Sequence, residues 1–238
     1  MKAKVFYLFL MFGFGVFGGI FADQILWPYL IERPLFLKYR LNQPPVYITQ
    51  KQEVTVLENI VLEQAVSKVA KTVIGVRARL TDGTIIQGSG LAVTNDGLIV
   101  TLSSLIPKGE NMVFFVQGQS KSYQVLKRDW QTDLAVVKLE ASDLPSVGFA
   151  DFDQLRLGQR VFVVGYQAQG KIGENLVNEG IIRELGEGKI VTNIKEQNNF
   201  TGSPVFNIKG EVIGLASLNR DGFLEVIPSF KIKVFLGL

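Results

Sequence analysis

Two hydrophobic periods divide the chain. Residues 5–22 form an unbroken uncharged run rich in Phe, Leu and Gly, preceded by Lys2 and Lys4. At about 1.5 Å per residue such a helix nearly spans a hydrocarbon core of about 30 Å, and Trp27 and Tyr29 beyond it suit an interface. Residues 1–31 are therefore expected to be a membrane anchor. Residues 32–54, with Pro34, Pro44 and Pro45 among polar side chains, are expected to be an extended stalk. A capping-box pattern at Thr55 and Glu58 opens a segment through Lys71 in which Leu57, Ile60, Val61, Ala65, Val66 and Val69 share a face, which predicts one short amphipathic helix. From Thr72 onward the period is two. Strands are predicted over 73–80, 84–87, 91–94, 98–102, 112–117, 122–128, 134–139, 160–165, 177–183, 190–194, 204–207, 212–218 and 223–227. Turn signals such as Asn95-Asp96-Gly97 and Arg220-Asp221-Gly222 separate them. Many short strands at this spacing imply an all-β barrel or sandwich filling 55–238.

The apolar run has a competing explanation as a cleaved signal peptide. Its length exceeds a usual signal core, and Ile20-Phe21-Ala22 is a poor small-x-small cleavage site, which favours the uncleaved, single-pass anchor. Lys2 and Lys4 favour an inside N-terminus and an extracytoplasmic β domain, although Arg33, Lys38 and Arg40 dilute the bias. Gly15 and Gly19, one turn apart, offer a face for homo-oligomer formation.

Composition narrows the chemistry. A net charge of +3 without a block of basic residues argues against nucleic-acid binding. With no cysteine there are no disulfides, thiolate metal sites or thiol nucleophile. With no histidine either, any metal site would have to be all-oxygen, and no carboxylate cluster offers one, so no cofactor or metal is expected. Gly88-Ser89-Gly90 is followed by a strand rather than a helix, which argues against a phosphate loop.

Three ordered stretches carry a resemblance. Asn199-Phe200-Thr201-Gly202-Ser203-Pro204, followed by two apolar strands around a Gly210-Glu211-Val212-Ile213-Gly214 turn, resembles the Gly-Asn-Ser-Gly-Gly-Pro nucleophile loop of HtrA-type trypsin-like serine proteases. Gly88 to Leu105 resembles the family's segment that ends Val-Thr-Asn-Asn-His-Val. Asp129-Trp130-Gln131-Thr132-Asp133-Leu134-Ala135-Val136 resembles its Asp-x-x-Thr-Asp-Leu-Ala-Val. The resemblance covers about residues 56–228 and implies a chymotrypsin/trypsin-like double β-barrel; the chain, ending at Leu238, is not expected to supply a PDZ domain.

The same alignment puts the family's histidine on Ser104, its aspartate on Asp133 and its nucleophile on Thr201, with oxyanion-hole positions at Asn199, Phe200 and Thr201. A serine or threonine hydroxyl needs a neighbouring base that titrates near neutrality, the role histidine fills in such a triad, and Ser104 cannot fill it. Asn199-Phe200 in place of Gly-Asn also removes a glycine free to reach positive φ, although Asn tolerates that region better than most residues. The expectation is a membrane-anchored pseudoprotease with a degenerate triad, whose cleft binds an extended or unfolded polypeptide by strand addition. A serine-type endopeptidase using a non-histidine base, with Lys195 and Lys209 nearest Thr201 in sequence, is the alternative from the enzyme class. A structural membrane scaffold is the third. Without a histidine, Asp133 can also serve simply to satisfy backbone N–H groups, Thr201 as a turn hydroxyl, and Ser103 and Ser104 as hydroxyls bonded to backbone.

Overall fold

The computed structural model describes residues 2–31, 58–109, 111–169, 172–196 and 198–238. The expected stalk over 32–54, the capping residue Thr55 and Leu57 lie outside the described residues. The chain divides into two compact units, Met1–Val54 and Thr55–Leu238.

In the first unit, helix α1 (Lys2–Phe21) continues into a π-helical stretch over Ala22–Ile31. The segment Lys4–Leu26, 23 residues of mean hydropathy 2.1, is long and apolar enough to cross a membrane. Its side chains are exposed, Phe9 at 74% and Met11 at 78%. A helix satisfies its own backbone hydrogen bonds, which is what a lipid environment demands.

The second unit is all-β apart from two flanking helices. Helix α2 (Glu58–Val69) ends where residues 70–72 tighten into a 3-10 turn closed by the Thr72 hydroxyl, which donates to the Val69 carbonyl at 2.7 Å. It buries Ala65 and Val69 in the core. The first sheet contains β1 (Val73–Arg79), β2 (Ile85–Ala92), β3 (Leu98–Leu102), β4 (Asn111–Val116), β5 (Gln119–Lys121), β6 (Tyr123–Asp129) and β7 (Leu134–Leu139) in the antiparallel order β5-β4-β1-β2-β3-β7-β6. Only Ser122 separates β5 from β6, so one bent strand borders both ends of the sheet and rolls it up. The second sheet is a closed barrel in the order β10-β13-β12-β11-β8-β9. Its strands are β8 (Arg160–Gln169), β9 (Ile172–Leu185), β10 (Ile190–Lys195), β11 (Pro204–Asn207), β12 (Val212–Leu218) and β13 (Phe223–Pro228). Phe114, Leu102 and Leu134 fill the first core; Val161, Val163 and Ile213 fill the second. The expected double β-barrel is present.

Three local differences from the sequence expectation have physical causes. The strands expected at 84–87 and 91–94 are one strand, β2, because Gly88-Ser89-Gly90 stays in the ladder opposite Val76, Gly75 and Ile74. Gly88 is there for a close approach rather than a turn, since a Cβ on it would lie 2.4 Å from the Thr201 carbonyl. Strands β8 and β9 run well beyond 160–165 and 177–183, pairing continuously from Arg160↔Ile181 to Gln169↔Ile172. A C-terminal helix that the periodicity did not announce, α3 (Ser229–Leu236), buries Ile232 and Phe235 and is closed by Gly237 at φ 80°.

Candidate active site

The loop that leads into β11 is held by backbone bonds from both barrels. Residues 198–200 form a 3-10 turn, and Ser203 N–H donates to the Phe200 carbonyl at 3.1 Å. The Thr201 carbonyl accepts from Ser89 N–H at 2.9 Å, while Gly202 N–H donates to Ala216 at 2.7 Å. Gly202 sits at φ 73°, and a Cβ there would meet the Ser89 carbonyl at 2.4 Å. The left-handed turn and the close approach both require glycine.

Ser89 is the hub of this arrangement, and the sequence reading did not single it out. Fully buried, its Oγ accepts Tyr166 N–H at 2.9 Å from β8 and the Ser203 hydroxyl at 3.1 Å; its carbonyl accepts the Thr101 hydroxyl at 2.6 Å. A polar residue between two glycines inside an apolar strand was the available signal. Phe200, expected at an oxyanion position, turns its side chain into the second core, where it is 4% exposed. A Cβ added to Gly165 would lie 2.9 Å from its ring.

Ser104 lies in a 3-10 turn, Ser103–Leu105, directly after β3. Asp133 grips that turn with three acceptors. Its carbonyl takes Ser103 N–H at 3.0 Å, Oδ1 takes Ser104 N–H at 2.7 Å, and Oδ2 takes the Ser104 hydroxyl at 3.0 Å. Asp133 adopts φ 53°, a conformation Asp tolerates better than most residues. The bend that leads to it is built by Asp129, which accepts from the Thr132 hydroxyl at 2.8 Å and Gln131 N–H at 2.9 Å. Those two bonds, the hydroxyl first, hold the Asp129 carboxyl below the usual carboxylate range. Ser103, next to Ser104, is buried, and among the described residues its hydroxyl has no partner, where a bond to backbone was expected.

Ser104, Asn199 and the half-buried Thr201 line one open groove of about 760 Å³, together with Thr84, Ile85, Ile86, Gln87 and Leu105. Asp133 stands behind Ser104. Among the described residues no side chain bonds the Thr201 hydroxyl. The two lysines nearest it in sequence are engaged or placed elsewhere: Lys195 Nζ lies 5.3 Å from the Phe223 ring centroid, and Lys209 is exposed in the β11–β12 turn, where its carbonyl accepts from Lys68. No cluster of acidic residues that could hold a metal occurs among the described residues.

The profile of the trypsin-like peptidase domain matches residues 88–215, more than half of the chain, and the chain belongs to that family. Within it the similarity runs to the DegP/HtrA serine endoproteases. The chain is 30% identical over 165 residues to a probable periplasmic serine endoprotease, DegP-like, of Marinomonas, covering 63% of this chain and 34% of that one. It is also 30% identical over 193 residues to human serine protease HTRA4, covering 72% and 40% respectively. A serine endoprotease from Yersinia pestis shares the fold, with a TM-score of 0.65 at 24% identity over 74% of this chain and 65% of that one. The chain thus spans little more than a third of the length of these curated relatives.

Proposed function

We propose that this chain is a membrane-anchored HtrA-like pseudoprotease whose inter-barrel groove holds an extended polypeptide without cutting it. The observation that carries the proposal is the Ser104–Asp133 pair. The aspartate that would orient a histidine instead accepts the hydroxyl of a serine, 3.0 Å away. A serine hydroxyl has no lone pair basic enough near neutral pH to take the proton of Thr201. Loss of the histidine from such a triad costs on the order of a millionfold in turnover. The β-methyl of Thr201 and the burial of Phe200 at an oxyanion position weigh in the same direction.

Binding needs none of this chemistry. Ile85, Ile86 and Leu105 offer apolar contacts in the groove, and Thr84, Asn199 and Thr201 offer hydrogen bonds. An extended chain recognised through its backbone suits such a surface. The segment Lys4–Leu26 supports the anchoring half of the proposal, with a signal sequence as the competing explanation. Carbonate extraction of membranes, with N-terminal sequencing of the mature protein, separates the two: a soluble form lacking residues 1–22 contradicts the anchor.

A second reading rests on the same pair, because a carboxylate within hydrogen-bond distance of Ser104 could serve that hydroxyl as a base. Incubation of the full chain in nonionic detergent with fluorescein-labelled casein distinguishes the two. Retention of intact casein supports the pseudoprotease. Fragments that disappear in Ser104→Ala support the dyad, and neither retention nor fragments contradicts both.

A further inference from the structure

On the outer face of the first barrel lies a groove of about 740 Å³ formed by β1, β4 and the β4–β5 hairpin, separate from the one lined by Thr201. Arg77 and Arg79, two apart on β1, project into it. Val113 and Phe115 form its apolar part, and Asn111, Gln119 and Ser120 its polar rim. Lys121 stands at the margin, donating to the Gln119 side-chain oxygen at 3.3 Å. Among the described residues no carboxylate lines the groove.

Three cations elsewhere in the chain are met by carboxylates. Arg160 meets Glu179 through a two-bond fork at 3.0 and 2.9 Å, Lys189 meets Glu225 at 2.6 Å, and Lys138 meets Asp96 at 2.6 Å. Opposite Arg77 stand Gln87 and Val113; opposite Arg79 stand Ile85 and Asn111. Neither arginine meets a carboxylate among the described residues. Tyr166, 4% exposed, stacks on Phe115 at 6.0 Å between centroids. The lining is thus donor-rich and cationic around an apolar patch.

From this juxtaposition we propose that the groove binds a soluble phosphate ester with an apolar body, its phosphate gripped by the forks of Arg77 and Arg79 and its body laid on Val113 and Phe115. Guanidinium forks match phosphate oxygens in pairs, and two forks one strand repeat apart converge on a single phosphate. Asn111, Gln119 and Ser120 supply neutral donors at the rim. The proposal does not depend on the fate of the Thr201 groove.

Isothermal titration of the full chain in nonionic detergent tests it, with phenyl phosphate as the probe and inorganic phosphate and phenol as its two halves. Phenyl phosphate is expected to bind saturably, more tightly than either half, and to weaken with added salt. Arg79→Lys keeps the charge and loses the fork, so affinity falls several-fold; Arg77→Gln with Arg79→Gln lowers it by at least about tenfold. Arg79 is exposed and Arg77 half-buried, and an unchanged melting temperature verifies the fold of each variant. No saturable binding overturns the proposal, as does equal affinity in the double glutamine variant. Capture by phosphatidylglycerol vesicles that phenyl phosphate does not compete away overturns it in favour of a lipid surface.

Discussion

The two ends of the Thr201 loop differ in how fully their polar groups are partnered. At the buried end, Ser89, Gly88, Gly202 and Ser203 form a closed set: each hydroxyl is bonded and each glycine stands where a Cβ would strike backbone within 2.4 Å or carries the bond across. At the exposed end, Ser104 and Thr201 face an open groove, and the hydroxyl that should meet a base meets none among the described residues. The difference teaches that docking of the two barrels and catalysis at their seam are separate physical problems. Backbone bonds and close approach solve the first with no titratable group. The second needs a base of matched pKa, which serine is not.

Four substitutions sharpen that comparison, beginning with the largest effect. Phe200→Ala empties a site in the second core and should cost about 3–5 kcal/mol in urea unfolding; a loss below about 1 kcal/mol would show that the ring is not part of that core. Ser89→Ala strands the buried Tyr166 N–H and the Ser203 hydroxyl, for an expected loss of about 1–3 kcal/mol on the same measurement. At the exposed end, Ser104→Ala removes one solvent-accessible bond to Asp133, and less than about 1 kcal/mol should be lost. A loss as large as that of Ser89→Ala would erase the contrast between the two ends. The smallest effect is a pH dependence in the first barrel. Lys138, first, and Thr94 bond the Asp96 carboxylate and hold it below the usual carboxylate range. The folded state therefore binds that proton less tightly than the unfolded chain, and the stability gained is present above about pH 4 and lost as pH falls through the lower folded value. Thermal melts should find Asp96→Asn slightly less stable than the parent at pH 7, with the gap closing in acid.

Much of the fold was legible because it is written locally. Alternation from Thr72 onward marked the strands, and the order of three motifs marked the double barrel. The motifs assigned Ser104 and Asp133 to two triad positions, but the hydrogen bond between their side chains was not legible in the sequence, where both read as bonded to backbone. What was not legible depends on contacts distant in sequence. Gly88-Ser89-Gly90 reads as a strand break until Thr201 is known to press against it. Ser203 reads as a substituted glycine until Ser89, far upstream, is found beneath it. Phe200 reads as a loop residue, and only the second core, together with the bare Gly165, accounts for its burial. Helix α3 is too short for its period to stand out, and it is packing of Ile232 and Phe235 that holds it.

The central claim, that no nucleophile in the groove is activated, is tested most directly by exposing the full chain to a fluorophosphonate and measuring its intact mass. Fluorophosphonates phosphonylate hydroxyls that a neighbouring base has made nucleophilic, the new P–O bond displacing fluoride. The account predicts an unchanged mass; an adduct of one phosphonyl group, mapped by peptide fragmentation to Thr201 or Ser104, would contradict it.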